Sequence, residues 1–462
     1  MSRKLLGALG VVVAVLVSSL AGSGPAGAGG QPHAPPRPVI FVHGGSGSGA
    51  QFDTQALRLT SNGYPADRIA VHEYDSTFGT NTMDQVWAGL DDLIAELLDE
   101  TGADGVDLLG HSLGTTVSQG YLNSSPERAA RVAHYVNIDG RTAASPPGGV
   151  DTLAVWGEGD QTRQIVGAPN YYAPDQSHVQ VATSAETFAQ IYEFFTGDAP
   201  ETTEVVPERG RIRLSGEANV FPQNQGADGF TLQIFEIDRR TGEREHRRPE
   251  ATFAIGPDGA WGPFKAHAGG RYEFALTRTD GSVHHVYFQP FLRSDHLVRL
   301  LTSRPGEGLD LLRVPSDTSA GFGVIRYKEM WGDQGANNDT LEINGVNVLN
   351  PATAPRAKRV NAMFVADDKL DGVTDLSAPV QPWFSLPFIS AVDLVVPATI
   401  PPDDTVRVEM VARAGHASRS PGPSGRASGM HVSGRAEDDV VNIPNWATSE
   451  NLVTITFRDF QQ

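Results

Sequence analysis

Gly110-His111-Ser112-Leu113-Gly114 constrains this chain more than any other stretch. It fits the pattern G-x-S-x-G and follows the mostly apolar run Val106, Asp107, Leu108, Leu109. A serine on so tight a strand-to-helix turn stands exposed above the end of a parallel sheet. Its glycines are needed because a Cβ would strike the neighbouring strand or helix. The pattern is short enough to arise by chance. Pro38-Val39-Ile40-Phe41-Val42-His43-Gly44-Gly45 stands upstream, where such a fold places its first core strand and oxyanion loop. Together the two stretches imply a serine hydrolase.

The surrounding pattern agrees. From residue 39 to 198, short β-branched runs alternate with helical stretches: strands at Val39–Val42, Arg68–Glu73, Val106–Leu109, Val132–Ile138 and Leu153–Trp156, helices at Asp84–Leu98, from Thr115, and at Ala185–Phe195. Strands alternating with helices predict a parallel sheet covered on both faces, an α/β-hydrolase sandwich. Residues 199–207 are acidic, threonine-rich and proline-punctuated, and read as a linker. Beyond them, residues 208–462 carry short alternating strands with frequent turns, the pattern of an all-β barrel or sandwich domain. Within that domain residues 414–435, rich in Gly, Ser, Arg and Pro, read as a disordered loop.

The first 28 residues read as a secretory signal: Arg3 and Lys4, an apolar stretch from Leu5 to Ala21, then Ala26-Gly27-Ala28 as a small-residue cleavage site. A flexible segment, 29–38, follows. The chain has 36 Lys and Arg against 55 Asp and Glu, a net charge of −19, which argues against a nucleic-acid partner. It also directs any peripheral contact with a lipid interface toward apolar rather than electrostatic docking. With no cysteine, an exported fold rests on core burial, and thiol chemistry and cysteine-bound metals are excluded.

Ser112 needs a base, since a serine hydroxyl is a poor nucleophile at neutral pH. The order expected in this fold is nucleophile, acid, histidine. Of thirteen histidines, His178 follows the last core strand and precedes the closing helix, on a loop beside Ser112. His72 and His134 lie in or near strands, and His43 and His111 fall where they would hold loop shape. Two carboxylates could orient His178: Asp139, after the strand that follows the nucleophile, and Asp160, after the next strand. Pattern alone leans slightly to Asp160 and leaves both open. The oxyanion hole falls to the N–H of Leu113 with that of Gly44 or Gly45.

These residues carry a resemblance. Val39-Ile40-Phe41-Val42-His43-Gly44, Asn123-Ser124-Ser125-Pro126-Glu127-Arg128-Ala129-Ala130, Ile325-Arg326-Tyr327-Lys328-Glu329-Met330 and Ser390-Ala391-Val392-Asp393-Leu394-Val395-Val396-Pro397 are similar to stretches of the archaeal two-domain carboxyl-ester lipases. In that family an α/β-hydrolase is joined to a C-terminal β-barrel. The resemblance implies Ser112, His178 and Asp139 as the triad, with Asp160 as runner-up acid, and no cofactor. It implies a lipase-like hydrolysis of acylglycerols or other lipid esters.

Two departures matter. The family's helical lid has no counterpart here, because only Ser76 to Met83 separate Asp75 from the next helix. That predicts an open site and admits a short-chain esterase or polyester depolymerase. The second departure is the low-complexity stretch 414–435, which reads as an insertion without a catalytic role, and Gly45 also stands where the family has a bulkier oxyanion-loop residue. From another class, a non-catalytic protein that binds lipid or polymer surfaces on a hydrolase scaffold would share the same fold. The acidic stretch from Asp367 to Asp375 suggests calcium, but it lacks the terminal glutamate of an EF-hand and reads as a solvated turn; no metal is expected. Asn123 and Asn338 head glycosylation sequons.

Overall fold

The computed structural model describes residues 35–413 and 439–458. The expected signal segment and the 414–435 loop lie outside the described residues, as do residues 29–34 of the expected flexible segment.

The N-terminal half is an α/β hydrolase. Its strands are β1 (Val39–Val42), β2 (Ile69–His72), β3 (Val106–His111), β4 (Val132–Ile138), β5 (Asp151–Trp156) and β6 (Asn170–Tyr172). They form one parallel sheet in the order β2-β1-β3-β4-β5-β6. Its helices are α1 (Asp53–Ser61), α2 (Met83–Thr101), α3 (Leu113–Ser124), the single turns α4 (Pro126–Ala129) and α5 (Gln180–Thr183), and α6 (Ala185–Thr196). Alternation along the strands sorts the core into two faces. Val39, Phe41 and Leu109 pack with Phe52, Leu59, Phe188 and Ile191 on the side of α1 and α6. Ile40, Val42 and Leu108 pack with Leu90, Ile94, Val117 and Tyr121 on the side of α2 and α3.

Helix α2 starts earlier than the apolar pattern alone suggests. Thr82 accepts from the Gln85 N–H while the Gln85 side chain accepts from Thr82 N–H, a reciprocal cap, and Gly102 ends the helix in the left-handed region. The short connection before α2 is a closed turn: Asp75 accepts from the N–H and hydroxyl of both Thr77 and Thr80.

The C-terminal half forms three sheets rather than one closed barrel. The largest has eight strands, ordered Ala251–Ala254, Thr231–Glu236, Tyr272–Thr277, Val283–Phe288, Asn451–Phe457, Phe322–Met330, Val360–Ala366 and Ile389–Asp393. Two smaller sheets pack against it, each with its own core. Ile212, Leu214 and Leu300 meet Leu232 and Phe274 in one. Leu341, Val408 and Ile443 meet Val324 and Met330 in the other. The strand Asn451–Phe457 joins the two, parallel to Val283–Phe288 on one side and Phe322–Met330 on the other.

The segments expected to be loose are held. Pro38 O accepts from Asp107 N and Pro36 O from Arg68. In the expected linker, Thr202 O accepts from Asn62, Thr203 O from Arg58, and Val206 N donates to Ser61. These bonds clamp it to α1.

Candidate active site

Ser112 sits between β3 and α3 with φ 53° and ψ −119°, a strained backbone that aims its hydroxyl outward. The strain is enforced by close approach on either side. A Cβ on Gly114 would lie 2.2 Å from Val42 O, and one on Gly110 2.7 Å from Gly114 O. Leu113 is the first residue of α3, so its N–H has no acceptor within the helix. The Gly44-Gly45 run crosses directly in front: a Cβ on Gly44 would stand 3.0 Å from Ser112 Cβ. The sequence-predicted oxyanion donors therefore lie beside the nucleophile.

His178 Nε2 is 2.9 Å from Ser112 Oγ, and its Nδ1 is 2.6 Å from Asp139 Oδ2. Asp139, itself at φ 43°, also accepts from Gly157 N at 2.9 Å and pairs with Arg163 at 3.0 Å. Burial pushes its carboxyl up, but the His178 bond and charge, the Gly157 N–H and Arg163 outweigh burial and hold it below the usual carboxylate range. Asp160 is elsewhere. Its carboxylate caps Thr162 at the surface, 2.8 Å from the Thr162 N–H, and makes no contact with His178.

His43 and His111 hold the loops around the nucleophile. His43 is fully buried, donates from Nδ1 to Gly44 O at 2.9 Å and stacks on Tyr74. Burial, with a smaller effect of Arg299, lowers its pKa to about 4. Gln51 donates to His111 Nδ1 at 2.8 Å, which leaves Nε2–H to donate to His178 O at 2.8 Å. Burial, then the neighbouring His178, lowers His111 to about 3. The nucleophile's own neighbour thus holds the backbone of the base.

A second clamp on that loop comes from the C-terminal half, and sequence reasoning missed it. Glu329, fully buried on the strand Phe322–Met330, accepts from Val179 N at 2.7 Å, from Gln180 N at 3.2 Å and from the Ser177 hydroxyl. Thr183 of α5 donates to Tyr327 O at 2.9 Å. Arg413 donates to Glu329 O and to Gln180 Oε1, and pairs with Asp339. The only signal in the sequence is a charged run, Arg326 to Glu329, inside an otherwise apolar strand. Asn224 does similar work on the oxyanion loop, donating to Gly47 O and Tyr74 O.

Ser112 and His178 open onto a cavity of about 740 Å³. One face of the eight-stranded sheet floors it, with Ile325, Tyr327, Ala362, Phe364, Leu452 and Thr454. Two single-turn segments, Gly308–Leu312 and Trp383–Ser385, wall it in. The expectation of an open site is thus corrected: the hydrolase half has only the short Asp75 turn, and the C-terminal half supplies the cover.

Among the described residues no group of three His, Asp or Glu is arranged to hold a metal ion. The acidic turn is satisfied internally, with Asp367 accepting from Asp371 N and Gly372 N, and Lys369 3.1 Å from Asp393. No helix among the described residues is long and apolar enough to cross a membrane.

Family models match three stretches of the chain. Residues 36–125 match the class 2 lipases, residues 210–305 the lipase C-terminal domain, and residues 310–421 a further C-terminal domain. The last two follow the two cores of the β half. Among solved structures, a gene product of Listeria innocua is 14% identical, covering 36% of this chain and 97% of its own, with a TM-score of 0.28. Lipase B of Aspergillus fumigatus is 14% identical over 36% of this chain and 54% of its own, with a TM-score of 0.29. An extracellular α/β-hydrolase from a Paenibacillus species is 23% identical over 23% of this chain and 41% of its own, with a TM-score of 0.18.

Proposed function

We propose that this chain, whose N-terminal residues 36–125 match the class 2 lipases, is a secreted carboxylic-ester hydrolase acting on lipid esters through an acyl-serine intermediate. The observation that carries the reading is the bonded series Ser112–His178–Asp139 opening onto a large, mainly apolar cavity. His178 takes the Ser112 proton as Oγ attacks the ester carbonyl, and Asp139 holds the imidazole's tautomer and balances its charge. The N–H groups of Leu113 and of Gly44 or Gly45 donate to the oxyanion. His178 then protonates the leaving alcohol, and water releases the acyl group by the same route.

The cavity supports a long apolar acyl group, being of the size that takes a whole small-molecule ligand. Leu311, 69% exposed on the Gly308–Leu312 wall, supports peripheral contact with a lipid interface at the cavity's rim. Secretion rests on the N-terminal residues described from sequence.

The test is hydrolysis of p-nitrophenyl esters from acetate to palmitate by wild type and Ser112→Ala. Turnover lost in the alanine protein, with a maximum at the long chains, is the expected result. A maximum at acetate would move the reading to a short-chain esterase. Inactivity of both proteins, with no labelling of wild type by a fluorophosphonate, would replace it with a non-catalytic binding protein.

A further inference from the structure

The cavity is not apolar throughout. His284, Thr302, Ser303 and Thr454 line it together. His284 is buried, with Nδ1 2.9 Å from Thr302 Oγ1 and Nε2 2.9 Å from Thr454 Oγ1. Burial, then the charges of Arg278 and His285, lowers its pKa to about 3, so the ring is neutral at working pH. A neutral imidazole gives one N–H and accepts one hydrogen. The two threonine hydroxyls bring two hydrogens between them. One fills the ring's lone pair; the ring N–H goes to the other oxygen, whose own hydrogen is left over. In either tautomer one threonine hydrogen has no acceptor among the described residues. Ser303, 7% exposed, lines the cavity, and its hydroxyl likewise meets no partner among the described residues. Unmet donors in a largely apolar space await an acceptor.

Strand register places the cluster away from the reacting carbonyl. Tyr327 marks the catalytic level, through its bond from Thr183 beyond His178. Arg326 pairs with Phe457, Gly323 with Thr454, and Leu452 with His284. The cluster therefore lies four to six residues along the strands from the level of Tyr327. That is about 13–20 Å at the rise of a β-strand. An acyl chain laid along the sheet would present its far end there.

We propose that this hydroxyl cluster receives an oxygen borne by the far end of the acyl chain, so that the cavity selects oxygenated acyl groups, ω-hydroxy acyl esters foremost, over plain ones. The inference rests on the ester-hydrolase reading above and adds a substrate class to it. An ω-hydroxyl both accepts the spare hydrogens and donates to a free lone pair on Ser303 or a threonine. A plain methyl end leaves those donors unmet.

The test compares p-nitrophenyl esters of plain and ω-hydroxy acids from decanoate to hexadecanoate, using wild type, Ser303→Ala and Thr454→Val. Ser303→Ala removes a hydroxyl without a protein partner, so it leaves the fold intact even where Thr454→Val strains His284. The expected result is a ratio of kcat/KM, ω-hydroxy over plain, about 3- to 10-fold higher in wild type than in either variant, the worth of one neutral hydrogen bond. The ratio should peak at one chain length. A ratio equal in all three proteins at every length means that water alone serves the cluster, and overturns the proposal. Failure of wild type on the plain esters as well would instead overturn the ester-hydrolase reading itself.

Discussion

Replacing Glu329 by glutamine tests whether the C-terminal half takes part in catalysis by holding the base. The carboxylate meets three donors, the N–H groups of Val179 and Gln180 and the hydroxyl of Ser177, and it is fully buried. Glutamine keeps one acceptor oxygen, which at the Oε2 position still takes the Gln180 N–H and the Ser177 hydroxyl, and turns its NH2 toward the Val179 N–H. One buried donor is then unmet, a loss of about 1–3 kcal/mol in stability. The Ser177–Gln180 backbone shifts, and His178 with it. The 2.9 Å contact to Ser112 and the 2.6 Å contact to Asp139 leave little room for that shift. A displacement near 1 Å costs about 100-fold in rate. The expected result is a fall in kcat of about 30- to 100-fold with KM nearly unchanged, and a matching fall in fluorophosphonate labelling of Ser112.

The control is Glu273→Gln, which alters another fully buried carboxylate, held by Arg244 and His285, far along the same sheet. It should lower the thermal midpoint to a similar degree and leave kcat alone. If both variants lose stability and neither loses kcat, Glu329 serves only the fold and the reasoning fails.

Asp139→Asn should lower kcat by about 10³- to 10⁴-fold by unsettling the tautomer of His178, whereas Asp160→Asn should stay near wild type; the reverse order in an ester assay would reassign the acid. Gly114→Ala puts a Cβ 2.2 Å from Val42 O and should cost about 4 kcal/mol or more. Gly45→Ala meets only the Leu113 side chain at 3.7 Å, and should leave the urea midpoint almost unmoved. Acid should also destabilise the protein through its buried histidines. His43, His72, His111 and His284 are lowered from 6.5 to about 4, 4, 3 and 3, burial being the largest cause for each. The unfolded chain binds protons that the folded one refuses, so their contribution is complete above pH 6.5 and declines as pH falls toward 4 for His43 and His72 and toward 3 for His111 and His284. At pH 5 each costs about 2 kcal/mol, and a thermal midpoint equal at pH 7.5 and pH 5 would contradict the assignment.

The hydrolase half was legible because its signals are local. Val39–Val42 and Val132–Ile138 were bounded to the residue by apolar runs, and chain order led to His178. The choice between Asp139 and Asp160 was not local: either follows a strand, and what separates them is the contact across 39 residues from His178 Nδ1 to Asp139. The β half was legible strand by strand but not as an arrangement. Alternation marks a strand without naming its neighbours, so nothing in Asn451–Phe457 announced a central place between two distant strands. The clamp by Glu329 joins positions 150 apart in sequence, and no periodicity spans such a gap. The expectation of an open site failed for the same reason, since it sought a lid near Asp75 while the cover was encoded beyond residue 300.

The central place of Asn451–Phe457 has a consequence for the timing of synthesis. A ribosome delivers the nucleophile, the acid and the base within the first 178 residues, long before the chain is finished. Yet the strand that carries Glu329 lacks one of its two sheet partners until residue 457 emerges. Inserting a last strand in parallel between two formed edges is a contact of high sequence separation, and such contacts close late. A nascent or clipped chain therefore holds Ser112, Asp139 and His178 without the completed sheet that carries Glu329.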